Sequence, residues 1–311
     1  MITAFYHPAF AAPIGDHIMP MRKFALVAEG LKARADVRLV RPEPATESDL
    51  RRVHTAEYIN AVRVGTPRAL AESQQFPWSP ALFPSVCLTN GGCVAAARQA
   101  LRDRAAAALT SGFHHAHADH GEGFCTFNGL VMAADALKAA GEVQSVAILD
   151  LDLHYGNGTA ALAAKRPYLT VLSLYGSDYH ANVAYRDVTL RHHEDGSNHW
   201  SVALPAGCDG RLLNEILDQH LPRLLKFGKP DLLLYQAGAD PLQGDPYSPL
   251  ALTHHDLLER DRTVFEFALR HSLPTAWVLA GGYTRDITKV VEVHQNTFRA
   301  AAMVFGGDAD C

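Results

Sequence analysis

Short aliphatic or β-branched runs recur along these 311 residues, at 2–6, 37–40, 106–110, 145–149, 169–174, 231–236 and 275–279. Most are apolar at successive positions rather than at every second one, so they read as strands buried on both faces. Helical patterns lie between them, at 23–31, 92–101, 129–140, 158–164, 212–226, 254–271 and 287–299. Strand–helix alternation of this kind predicts an α/β fold: a mostly parallel central sheet flanked by helices on both faces. We find no internal repeat, low-complexity tract or long linker, so one domain is expected over residues 1–311. Residues 66–84, rich in Pro, Ser and Gln, read as a surface loop. In a parallel sheet ligands bind at the carboxyl ends of the strands. Chemistry is therefore expected just after Thr110, Leu149, Gln236 and Leu279.

Polar clusters stand at all four of those places. The first is Ser111-Gly112-Phe113-His114-His115-Ala116, followed by Gly123-Phe124-Cys125-Thr126-Phe127-Asn128. The second is Asp150-Leu151-Asp152-Leu153-His154-Tyr155-Gly156-Asn157-Gly158, the third Gln236-Ala237-Gly238-Ala239-Asp240 with Gly244-Asp245-Pro246, and the fourth Gly281-Gly282-Tyr283. The second is the most specific. Asp150, Asp152 and His154 follow a continuous apolar run, Val146-Ala147-Ile148-Leu149. Buried carboxylates need a metal or a charge partner. Two carboxylates and an imidazole suffice to hold a divalent ion while leaving a position open for water or substrate. The bland alternative, a strand end with one satisfied Asp, leaves the other two groups unexplained. His114-His115 alone is a weak signal, because the chain also holds His192-His193 and His254-His255, which read as surface pairs. It gains weight from following a buried strand. Asp240 ends an apolar strand and could complete a metal site, although a lone Asp there is more often a turn or N-cap residue. Two glycines before Tyr283 let its phenol lean over a site.

Taken together, these clusters resemble the zinc-dependent histone-deacetylase family, with its arginase/deacetylase-like fold. The match runs from about Val53 to Phe298, and Val53-His54-Thr55-Ala56-Glu57-Tyr58-Ile59 resembles the family's early helix motif. Gly112-Phe113-His114-His115, the 152–158 loop, Tyr235-Gln236-Ala237-Gly238-Ala239-Asp240 and Arg260-Asp261-Arg262-Thr263-Val264-Phe265 look closest to the class IV branch. The resemblance implies zinc held by Asp152, His154 and Asp240. It implies His115 as general base and acid, His114 as its electrostatic partner, and Tyr283 as donor to the oxyanion. Asp150 matches the carboxylate behind His114, and Asn157 the group behind His115. Gly123, Phe124 and Tyr247 would line the acyl-lysine tunnel, with 177–182 as the opposite rim. A potassium ion is implied at Asp150, Asp152, His154, Ser173 and Leu174, and Arg22 matches an arginine of the product-exit channel. The implied substrate is an acyl-lysine protein or peptide. Acetylpolyamine hydrolysis on an acylated small amine is the alternative, and a catalytically silent acyl-lysine scaffold a further one. A ureohydrolase such as arginase shares the architecture, but it wants two metals and leaves Tyr283 unexplained.

Composition adds exclusions. A net charge of −5 carries no basic footprint for nucleic acid. No apolar run approaches the roughly 20 residues of a membrane span, and residues 1–10 lack the basic and apolar regions of a secretory signal. The five cysteines form no CxxC pair and are odd in number, so a disulfide framework is not expected and a cytoplasmic home is the simplest.

Overall fold

The structure is a computed structural model and describes residues 1–178, 183–184 and 196–306. The pair His192-His193, Cys311 and most of the 177–182 rim lie outside the described residues. Its elements run β1 (Ile2–Phe5), α1 (Arg22–Leu31), β2 (Val37–Val40), α2 (Glu47–Val53), α3 (Ala56–Val64), α4 (Arg68–Ala71), α5 (Leu82–Asp103), β3 (Ala105–Ala108), α6 (Gly129–Ala139), β4 (Val146–Asp150), α7 (Asn157–Ala163), β5 (Leu169–Tyr175), β6 (Ser177–Asp178), β7 (Val183–Ala184), β8 (His199–Ala203), α8 (Gly210–His220), β9 (Leu232–Gln236), α9 (His254–Arg270), β10 (Thr275–Val278) and α10 (Ile287–Phe305).

Eight strands form one sheet in the order β2-β1-β3-β10-β9-β4-β5-β8, and every pairing in it is parallel. The four inner strands β3, β10, β9 and β4 are buried along their whole length, as continuous apolar runs require. These are also the strands that carry the four polar clusters. Chain order scatters them over nearly 180 residues, from Ala105 to Tyr283; sheet order sets their carboxyl ends side by side.

All seven expected strands form. The sequence reading missed β8, an edge strand whose mixed His-Trp-Ser-Val-Ala sequence is half-buried throughout and shows no apolar run. It also missed α2 and the short α4, and it began α5 at Gly92 rather than Leu82. The cause in α5 is local: Pro84 and the pair Gly91-Gly92 weaken helix propensity. Pro84 sits in the first turn, where its missing N–H is no loss. Gly91 is needed for close packing, since a Cβ there would meet the Glu43 carbonyl at 2.0 Å. The 66–84 segment is not simply a surface loop. It contains α4, and Gln74 and Phe76 within it are buried. Cys87, Cys93, Cys125 and Cys208 are unpaired and buried, in keeping with the absence of a disulfide framework among the described residues.

A buried ion pair ties the sheet to two helices. Arg260 of α9 pairs with Asp261 at 2.8 Å, and its Nη1 donates to the Gly238 carbonyl (2.8 Å) and the Leu151 carbonyl (3.3 Å). Asp261 accepts from the Tyr235 hydroxyl of β9 (2.5 Å) and the Thr297 hydroxyl of α10 (2.6 Å). One guanidinium thus clamps the loops that follow β4 and β9. Replacing Arg260 by Ala strands Asp261 in the interior and should cost about 3–5 kcal/mol in urea unfolding.

His54, at the corner between α2 and α3, is buried and bonded on both nitrogens. Nδ1 donates to the His117 carbonyl (2.9 Å), and Nε2 accepts from the Asn128 N–H (3.0 Å). Burial pushes its pKa down to about 3. The folded protein therefore keeps His54 neutral, while the unfolded chain takes up a proton below pH ~6.5. Its contribution to stability is complete above that pH and falls as the pH drops, by up to ~1.4 kcal/mol per unit. Urea titrations of wild type and His54→Gln at pH 7.5, 6 and 5 should show the variant losing less stability on acidification.

Candidate active site

Residue types at strand ends become a site through backbone placement. Asp150 closes β4, and the chain then turns so that each carboxylate receives N–H donors. The Asp152 N–H donates to Asp150 Oδ1 (3.1 Å), the His154 N–H to Asp152 Oδ1 (3.0 Å) and the Leu153 N–H to Asp240 Oδ1 (3.1 Å). From β10, the Gly281 N–H donates to Asp152 Oδ2 at 2.8 Å. Glycine is required there, because a Cβ on Gly281 would lie 2.0 Å from Asp240 Oδ2.

Asp152, His154 and Asp240 come together with one ligand atom each, all within 4.8 Å of one another and all buried. His154 Nδ1 stands 3.3 Å from Asp152 Oδ1 and 3.1 Å from Asp240 Oδ2. Ligands about an ion at 2.0–2.2 Å lie roughly 3.3–3.5 Å apart when tetrahedral, so this donor set fits a divalent metal. Burial disfavours a charged His154, but the hydrogen bonds and charges of Asp152 and Asp240 outweigh it and raise its pKa to about 10. Ser173 and Leu174 lie on β5 beside Asp150, and Ser173 Oγ is buried with no hydrogen-bond partner among the described residues. An orphaned oxygen next to buried carboxylates is compatible with a monovalent cation.

His114 and His115 follow β3 through a turn at Phe113, whose φ of 58° is left-handed. Their rings lie 3.9 Å apart. His114 Nδ1 is 2.7 Å from Asp150 Oδ2, and His115 Nδ1 is 2.7 Å from Asn157 Oδ1. Burial works against a charged His114, but Asp150 and Asp152 overcome it and raise its pKa. His115 is pushed well below its ordinary value, first by burial and then by the neighbouring His114 and His154. Two adjacent imidazoles are thus driven to opposite protonation states: the carboxylates beside His114 favour its cation, while burial and the neighbouring imidazoles disfavour a charge on His115.

Tyr283 completes the ring of groups. Its N–H donates to Asp245 Oδ2 (2.7 Å), and its ring lies 6.2 Å from those of His154 and Phe124 and 5.3 Å from that of Tyr247. Burial, with Asp240 and Asp152 nearby, raises its pKa well above the ordinary value and keeps the phenol protonated. Phe124, in left-handed backbone at φ 64° after Gly123 (φ 47°), stacks on Phe76 at 5.8 Å and meets His17 edge-on at 4.8 Å.

The sequence-predicted residues His114, His115, Asp150, Asp152, His154, Asn157, Asp240, Tyr283, Phe124 and Tyr247 are therefore linked into one cluster by hydrogen bonds and ring contacts. Arg22 does not join them. It is exposed, whereas its neighbour Lys23 is completely buried, donates to the Ala280 carbonyl and lies 6.0 Å from the Tyr283 ring centroid. Burial lowers Lys23 to about 8, against the charges of Asp240, Asp152 and Asp245. The signal for Lys23 was present in the sequence: it shares the i, i+4, i+8 stripe of Val27 and Leu31 on the buried face of α1. Asp245, which belongs to the third cluster, is raised to about 7 by burial and Asp240. It accepts the N–H groups of both Tyr247 and Tyr283 and so sets the two phenols relative to each other.

A family model described as the histone deacetylase domain matches residues 17–298. The chain is 33% identical over 306 residues to an uncharacterized protein of Picosynechococcus sp., covering 96% of this chain and 98% of that one. It is 28% identical over 295 residues to a histone deacetylase-like amidohydrolase of Pseudomonas aeruginosa, covering 92% and 72%. The solved structure of an acetylpolyamine aminohydrolase from Burkholderia pseudomallei superposes with a TM-score of 0.79 at 22% identity, over 98% of this chain and 99% of that one, which establishes the shared fold. The chain belongs to the histone deacetylase family of amidohydrolases.

Proposed function

We propose that this protein is a zinc-dependent deacylase that removes acetyl or longer acyl groups from lysine side chains of proteins or peptides. The observation that carries the reading is the convergence of Asp152, His154 and Asp240 with the His114–His115 pair and the Tyr283 phenol, with the Phe124 and Tyr247 rings packed beside them. Those three residues would hold the zinc ion, which would supply Lewis acidity to the acyl carbonyl and lower the pKa of water in the site toward 7. His115, neutral in this setting, takes the proton of the attacking water and passes it to the leaving amine. His114, held cationic by Asp150, stabilises the negative charge that develops. The Tyr283 hydroxyl donates to the oxyanion, which an amide carbonyl becomes only during reaction. Gly123, Phe124 and Tyr247 enclose the lysine methylenes. We further assign a potassium ion to Asp150, Ser173 and Leu174, beside Asp152 and His154, and place the chain nearest the class IV branch on its Tyr235-to-Asp240 segment.

An acylated small amine as substrate is the second reading, favoured by the likeness to an acetylpolyamine aminohydrolase. Turnover of fluorogenic lysine peptides carrying acyl groups of increasing length, with acetylspermidine assayed alongside, separates the two. Faster turnover of the peptides supports the proposal. Turnover of the polyamine alone reverses it, and no turnover of either, with metal bound, removes both.

Tyr283→Phe keeps the ring and removes the oxyanion donor. It should lower kcat by on the order of 10²–10³ while KM changes little. A normal kcat would reduce the phenol to a wall of the pocket.

A further inference from the structure

Two polar side chains at the site have no part in the reaction described above, Glu122 and His117. Both lie on the loop that leaves His115. The loop folds back on itself: the His117 N–H donates to the His120 carbonyl (3.0 Å), and the Cys125 N–H to the Glu122 carbonyl (2.7 Å). The left-handed pair Gly123 and Phe124 closes the second turn. His117 stacks on His120 with centroids 4.6 Å apart. Glu122 and His117 are mostly sheltered, with side-chain exposures of 22% and 21%. Both reach the same amide. Asn157 Nδ2 stands 2.7 Å from Glu122 Oε2 and 3.1 Å from His117 Nε2, while Asn157 Oδ1 faces His115 Nδ1 at 2.7 Å.

The two ends of an asparagine amide are alike in shape, so its orientation is set by what each end meets. The orientation matters here because it dictates which nitrogen of His115 carries the proton. With Oδ1 toward the ring, Nδ1 must be N–H, and Nε2 keeps a lone pair for the substrate side. With Nδ2 toward the ring, Nδ1 must accept, Nε2 carries the proton, and a neutral His115 has no free base there. An aspartate at position 157 would only accept and would need no such control. An asparagine does need it. A carboxylate oxygen only accepts, so Glu122 admits the amide in one orientation alone. His117 Nε2 accepts the second amide hydrogen in the same arrangement.

We propose that Glu122, assisted by His117, is a positioning residue that locks the Asn157 amide and thereby holds His115 in its Nδ1–H tautomer. The inference rests on the reading of His115 as the general base. The tautomer itself is a property of the fold and can be measured without turnover.

The test is ¹⁵N NMR of histidine-labelled enzyme as isolated, with His115 assigned by difference against His115→Ala. The expected wild-type spectrum shows His115 protonated at Nδ1 and bare at Nε2. A proton on Nε2 in wild type overturns the proposal directly. Glu122→Leu, checked for folding by circular dichroism, should shift His115 toward a tautomer mixture and lower kcat by about tenfold or more, toward the 10²-fold loss of a general base. KM should hold. Glu122→Gln can still turn its carbonyl oxygen to Asn157 and should recover most of the rate. An unchanged tautomer and kcat in Glu122→Leu would mean that Glu122 only fills the loop. If wild type shows the Nδ1–H tautomer but hydrolyses no acyl-lysine, the deacylase reading fails and the positioning stands.

Discussion

Asp150, Asp152 and Asp240 are buried together at the ends of two neighbouring strands, and much of the molecule is arranged to tolerate them. A lone carboxylate in an apolar interior is prohibitively costly. Here each receives backbone N–H donors from the turns after β4 or from Gly281, which crosses from β10. Two cations are buried in their surroundings. Lys23 rises from α1 to the Ala280 carbonyl, and Arg260 bonds the main chain of both aspartate-bearing loops. His114 and His154 supply imidazoles whose protonation follows the carboxylates beside them. Close approach also excludes side chains: a Cβ on Gly238 would lie 2.7 Å from Asp152 Cα. The parallel sheet places every one of these groups at its carboxyl edge, where main-chain donors are open and helices close over the rest.

The same constraint leaves its mark on the backbone. Phe113, Phe124 and Ala280 adopt left-handed φ values of 58°, 64° and 57°, and each lies in a loop of the site. Such conformations cost about 1–2 kcal/mol for a residue with a Cβ and persist only where surrounding contacts fix them. Phe113 turns the chain so that His114 and His115 face Asp150 and Asn157. Phe124 is held between the rings of Phe76 and Tyr283. Ala280 presents its carbonyl to Lys23. Rigid placement of groups that meet only at strand ends is what lets neighbouring histidines and one phenol keep distinct protonation states.

How much of this could be read from the sequence depended on whether a residue's neighbours were local. The strands declared themselves through apolar runs, and Asp150, Asp152 and His154 through their spacing. The rule that ligands gather at carboxyl strand ends then found all four clusters before their adjacency was known. Adjacency itself is a property of strand order, β3-β10-β9-β4, and no local pattern encodes it. His17 and Phe76 were missed for the same reason, since they reach Phe124 from distant segments. Position 23 shows what a match by residue type leaves out: Arg22 matches the family's arginine, while the helical stripe of α1 turns Lys23 inward. Glu122 was passed over because a single acidic residue in a Gly-bounded loop carries no signal until Asn157 is seen beside it.

Asp152, His154 and Asp240 are proposed to hold one zinc ion in this arrangement. Metal analysis of the purified wild-type protein, beside Asp152→Asn and Asp240→Asn variants shown by circular dichroism to be folded, tests that claim most directly. The account predicts about one zinc per wild-type chain and a loss of most of it in each variant. Zinc content undiminished in both variants, or a zinc-replete solution leaving the wild-type protein metal-free, would contradict it.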